Sequence, residues 1–202
     1  MTKISLVRLG SGLLVLAAVG TQLGIQVERD LSLVNFFSFF TNLSNLFAAT
    51  VFLTGVRQRS TPRFDLLRWA SAVNMTVVGI VFLTLLRGVD LGPLLPWVNS
   101  VLHYVMPVVV VAEWLFNPPR SQRERGDLAF VLIFPAAYLA YVLVRGALVD
   151  WYPYPFLDPI NPNGYVGVAM HAVGIALLFV VAAWALMLAG NRLAESGQDN
   201  LG

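Results

Sequence analysis

Six apolar runs, at about residues 4–26, 35–56, 67–87, 97–116, 128–147 and 165–190, take up most of the 202-residue chain. Each is long enough to cross a hydrocarbon layer of ~30 Å as a helix of ~20 residues. The runs predict an all-α polytopic membrane bundle with six transmembrane helices. Composition agrees, with 57% hydrophobic and 12% charged residues and a mean hydropathy of +0.73, far more apolar than an ordinary soluble domain. The first run carries Lys3 and Arg8 and superficially resembles a signal peptide. It is as long as a span and more spans follow, so it reads as a retained first helix. Without internal repeats and with only a short polar tail at 195–202, residues 1–202 read as a single integral membrane domain.

The basic residues orient the bundle. Lys3, Arg8, Arg57, Arg59, Arg63, Arg68, Arg120, Arg123, Arg125 and Arg192 fall on one side, and only Arg29, Arg87 and Arg145 on the other. That bias predicts cytoplasmic N- and C-termini. It also removes nucleic acid as an explanation for the basic balance, because the arginines sit in the short gaps between spans. The Arg-dominated set and the compact layout point to a bacterial cytoplasmic membrane. The outer side carries the loop at residues 151–164, WYPYPFLDPINPNG, which four prolines stiffen. Its aromatics suit an interfacial anchor or a cap over a cavity. The chain has no cysteine, which excludes disulfides, thiolate metal sites and thiol catalysis.

Residues 35–45, NFFSFFTNLSN, break the apolar character of the second run. On a helix Ser38, Thr41, Asn42 and Asn45 recur at i, i+3, i+4 and i+7, forming one stripe. Polar groups at that depth face protein or a cavity. Spans two, four and six all run inward from the outside, and Thr41, His103 and His171 each lie six residues into their span. At 1.5 Å per residue that is roughly 9 Å below the outer boundary for all three. Span four carries Asn99, His103, Met106, Val110 and Glu113 on one face, with a kink expected at Pro107. Span six carries Gly167, His171 and Gly174, where small residues would let a neighbouring helix approach.

If Thr41 and His103 meet, the imidazole can take the threonine proton as the hydroxyl attacks an ester carbonyl. Amides of Asn42, Asn45 or Asn99 would hold the oxyanion, and His171 is a further candidate at the same depth. A site just beneath the headgroups suits a lipid ester. Arg87 and Arg145, at the outer ends of spans three and five, either bind a substrate carboxylate or phosphate or snorkel to the interface. Glu113 is expected to pair with a loop arginine, and Gln22 and Asn74 to bond neighbouring helices. Two histidines without carboxylates at their level do not make a zinc site, so neither metal nor cofactor is expected.

FFTNLSNLF in the second span and NSVLHYVMPVVVVAEW in the fourth resemble the androgen-induced-gene membrane proteins and their bacterial relatives. The resemblance implies six spans and hydrolysis of fatty acid esters of hydroxy fatty acids through an intramembrane threonine and histidine, matching Thr41 and His103. Two other uses of the same residues stay open: a polar path for a proton or small solute, or a non-catalytic small-molecule-binding or assembly protein whose stripe only locks helices together.

Overall fold

Helix α1 (Lys3–Glu28) begins at Thr2, whose hydroxyl accepts the Ser5 N–H and so satisfies one of the free donors of the first turn. It opens a computed structural model that describes residues 2–58, 60–90 and 92–199. Arg59 of the basic set and residues 200–202 of the polar tail lie outside the described residues. The regular structure that follows is α2 (Leu33–Phe37), α3 (Phe40–Thr54), α4 (Pro62–Val81), α5 (Pro96–Ser100), α6 (Met106–Phe116), α7 (Asp127–Val149) and α8 (Gly164–Asp199). A π-helical turn at Phe82–Leu86 extends α4, and another at Val101–Val105 joins α5 to α6. Among the described residues there is no strand.

Among the described residues five helical stretches are long and apolar enough to cross a membrane: Lys3–Glu28, Pro62–Leu86, Pro96–Phe116, Asp127–Val149 and Gly164–Ser196. The third run starts earlier than its hydropathy suggests, because Thr61 caps the Phe64 N–H and Pro62 fits the first helical turn. The run at 35–56 departs from the six-helix expectation. Its chain breaks at Ser38 and Phe39, leaving α3 with 15 residues, roughly 22 Å at 1.5 Å per residue.

Lipid tails are as apolar as leucine, so close packing and interhelical hydrogen bonds hold such a bundle together. Helix α4 is central and packs on α3, α6, α7 and α8. The fully buried Trp69 on α4 and Trp114 on α6 both reach α8, donating their indole N–H to the Ala183 and Leu186 carbonyls at 3.2 and 2.9 Å. Large apolar side chains such as Ile133, Val144, Met170, Val173 and Leu177 remain exposed around α7 and α8, as suits a lipid-facing surface.

One end of the bundle is locked by charge. Arg8 and Arg68 both donate to Glu113, Arg68 also pairs with Asp65, and Arg8 bonds the Gly55 carbonyl at the end of α3. Glu113 therefore pairs with arginines of α1 and α4, where a loop arginine was expected. The other end holds the α2–α3 break, both π turns and the loop from Asp150 to Asn163.

Candidate active site at the α2–α3 break

A broken helix strands carbonyls, and each must find a donor inside the protein. Asn42, in the first turn of α3, reaches back to the Phe36 carbonyl at 2.8 Å, capping α2. Tyr138 of α7 donates to the Ser38 carbonyl at 2.8 Å, and the Ser38 hydroxyl bonds the Val34 carbonyl and the Tyr141 hydroxyl at 2.7 and 2.9 Å. The break is thus held from both sides. It sets Thr41 in the first turn of α3, where its N–H has no carbonyl partner within the helix. That N–H meets the Tyr154 hydroxyl at 3.4 Å, which also bonds the Thr41 side chain.

His103 rides on the second π turn, and Pro107 accounts for that turn. Proline lacks an N–H and its ring crowds the carbonyl four residues back, that of His103. The chain responds by passing the Met106 N–H to Val101 in place of Leu102, so the expected kink takes the form of a π turn. Neither register then gives the Leu102 carbonyl a helical donor, and the Asn45 amide takes it at 3.2 Å. The His103 ring lies against Phe82 of the other π turn, centroids 4.0 Å apart and planes 23° from parallel. Its Nδ1 is 3.2 Å from the Asn99 carbonyl. A carbonyl only accepts, so Nδ1 carries the proton and the lone pair of the neutral ring sits on Nε2. Among the described residues Nε2 has no hydrogen-bond partner.

Thr41 borders two cavities. The larger, about 310 Å³, lies among α4, α7 and α8, and its lining is apolar except for Thr41, Tyr138 and Tyr154. Ala136, Ala176 and Val180 line it yet stay exposed on the outside of the bundle, so it opens between α7 and α8. The smaller, about 50 Å³, is lined by Gln22, Gln26, Asn42 and His103 as well as Thr41. Gln22 holds its roof, donating to the Pro93 carbonyl and accepting the Leu95 N–H. This is a clamp on a loop, where a bond between helices was expected.

The remaining predicted residues are placed differently. The Asn45 amide gives both of its N–H groups to backbone carbonyls, of Thr41 and Leu102, whereas the Asn42 amide gives one to the Phe36 carbonyl and has one left. Asn99 acts through its carbonyl on His103; its side-chain oxygen has no partner among the described residues. His171 lies apart, in a cleft of about 220 Å³ with Asp158, Asn161 and Asn163. It bonds the Gly167 carbonyl at 2.8 Å and faces Phe156. No neighbouring helix approaches Gly174. Arg87 is exposed, while Arg145 donates to Asn35 at 2.5 Å and lies over the Trp151 ring. Among the described residues no three His, Cys, Asp or Glu side chains gather as a metal site would need.

Sequence reasoning missed Tyr154 and Tyr138. The signal for Tyr154 was the proline-rich aromatic loop, which does cap the cavity. Tyr154 is buried, parallel to Phe156 at 5.2 Å and edge-on to Phe39 at 5.7 Å. Burial pushes its phenol well above the usual range, against the opposing pull of the Thr41 hydrogen bonds.

A model of the FAR-17a/AIG1-like protein family matches residues 84–188, more than half of the chain. The chain belongs to the FAR-17a/AIG1-like family. The matched stretch includes His103, Tyr138, Tyr154 and His171 of this FAR-17a/AIG1-like chain, while Thr41 lies ahead of it. No curated protein and no solved structure matches the chain.

Proposed function

We propose that this FAR-17a/AIG1-like protein is an intramembrane hydrolase of lipid esters, with Thr41 as nucleophile and His103 as general base. One observation carries the reading: Thr41 stands between a large apolar cavity and a small one, walled in part by Gln22, Gln26 and Asn42, that it shares with His103. The geometry suits an ester whose acyl chain fills the apolar cavity and whose carbonyl lies at Thr41. His103 Nε2, with its proton on the far nitrogen, takes the Thr41 proton as Oγ attacks the carbonyl carbon. The imidazolium returns that proton to the departing alcohol, and water then releases the fatty acid by the same steps in reverse order of roles. No metal or cofactor enters this scheme.

The same reading sets residues 1–202 as one membrane domain of six spans, with α2 and α3 together forming the second. Both termini face the cytoplasm of a bacterial cell, and the site faces the outer leaflet. Non-helical backbone at membrane depth is tolerated where protein buries it or a cavity adjoins it, which describes Ser38 and Phe39.

The test is labelling of the purified protein with a fluorophosphonate, alongside hydrolysis of long-chain esters, for wild type, Thr41→Ala and His103→Ala. Labelling and hydrolysis lost in both variants with unchanged thermal stability support the proposal. A folded wild type that neither labels nor hydrolyses any ester rejects it.

A further inference from the structure

We infer that the Tyr154 hydroxyl, together with the first-turn N–H groups of α3, binds the oxyanion in this reaction; the inference rests on the hydrolase reading above. Attack of Thr41 Oγ on the carbonyl carbon forms one C–O bond and moves the carbonyl π pair onto oxygen. That oxygen needs donors already in place. Of the side-chain amides nearest Thr41, Asn45 has both N–H groups on carbonyls, and Asn42 has one there and borders the small cavity, not the large one. The N–H groups of Phe40 and Thr41 have no carbonyl partner within the helix; that of Thr41 points at the Tyr154 oxygen, and that of Phe40 lies close to the Tyr138 and Tyr154 hydroxyls. A helix N-terminus adds a favourable field for negative charge there.

Three polar side chains line the large cavity, and Tyr138 gives its proton to the Ser38 carbonyl. The Tyr154 hydroxyl, shared with the Thr41 and Tyr138 hydroxyls, is then the side-chain donor that can turn to an oxyanion beside Thr41. Its contact to the Thr41 N–H, at 3.4 Å, is longer than the ~2.9 Å of a good hydrogen bond. An oxyanion at this point replaces that weak contact with two strong ones, accepting from the N–H and from the phenol. Burial keeps the phenol protonated, so Tyr154 serves as donor and leaves the base role to His103. The loop fixes the ring beforehand, between Phe39 and Phe156. When the tetrahedral intermediate collapses, the oxygen pair re-forms the carbonyl and the C–O bond to the alcohol breaks. The alcohol takes its proton from His103, and both donors are left as they began.

Tyr154→Phe tests this, because it removes one oxygen and keeps the ring stack. Steady-state hydrolysis of a long-chain p-nitrophenyl ester by the full-length variant in detergent should show kcat down by about 10²-fold, with KM within about twofold. Tyr152→Phe, in the same loop but outside the cavity, should match wild type. Unchanged kcat, or a rise in KM alone, would overturn the inference and make Tyr154 a packing residue. A faster variant would make it a plug on the site, which also overturns it. Wild type without any hydrolysis would overturn the hydrolase reading and this inference with it.

Should Tyr154→Phe fail to fold, 3-fluorotyrosine at 154 keeps the geometry and acidifies the phenol. The more acidic phenol is the stronger hydrogen-bond donor, so kcat should rise with KM within about twofold. Tyr138 and Tyr141 on α7, His103, and His171 behind Phe156 are untouched by that change, so an unchanged kcat counts against the inference.

Discussion

The Asn45 amide donates to the Leu102 carbonyl at 3.2 Å, joining α3 to the π turn that carries His103. The same nitrogen bonds the Thr41 carbonyl at 2.9 Å, so one side chain ties the two proposed reactive residues to a common brace. Asn45→Ala strands a buried carbonyl that the π turn cannot satisfy. A loss of about 1–3 kcal/mol is expected, read as a lower melting temperature in detergent. A variant as stable as wild type would show that the brace is not needed.

Pro107→Ala approaches the same turn from the other side. Alanine restores an N–H and lets residues 101–107 return to α-helical register, which turns His103 by about 100° around the helix. The fold should survive, because Gly79 of α4 packs against the proline ring and would gain room. Hydrolysis should fall by at least about 10²-fold, as for loss of a general base, with helix content by circular dichroism unchanged. Retained activity would mean that His103 does not depend on the π turn.

The all-helical fold was legible because apolar runs of spanning length leave little else: α1, α4, α7 and α8 overlap their runs, and α5, the π turn and α6 together make up the fourth. The break at Ser38–Phe39 was not, since FFSFFTNL keeps its helical spacing straight through it. What stabilises the break comes from Tyr138 and Tyr141, about a hundred positions away. Thr41 and His103 stood out as polar groups in apolar runs and do share a cavity. His171 carried the same signature and the same depth, yet the loop folds Phe156 against it and places Tyr154 against Thr41. Composition alone cannot separate an aromatic interfacial anchor from an aromatic that folds inward.

Glu113 is the acceptor on which two arginines converge. Arg8 and Arg68 both reach it, at 2.5 and 2.9 Å, and all three side chains are nearly excluded from solvent. Glu113→Gln leaves Asp65 to balance both guanidinium groups, and an uncompensated buried charge costs about 3–5 kcal/mol. The expected outcome is poor expression or a melting temperature lowered by many degrees. The site lies at the other end of the bundle, so the fraction that folds should keep its fluorophosphonate labelling. Full stability would mean that water or lipid headgroups reach the cluster and screen it.

The opening between α7 and α8 gives the last prediction. A hydrophobic cavity whose polar groups gather at one end suits a molecule with one polar end and a long apolar body. Its mouth passes between Ala136 and Ala176, two of the smallest side chains in that wall. Ala176→Trp fills the mouth from a lipid-exposed position, so helix packing should be little disturbed. A palmitoyl ester, whose chain must enter there, should lose about 10-fold or more in kcat/KM. An acetyl ester needs none of that space and should react as with wild type. Equal losses on both esters would instead point to a distorted Thr41, and no loss on either would mean that the acyl chain lies outside this cavity.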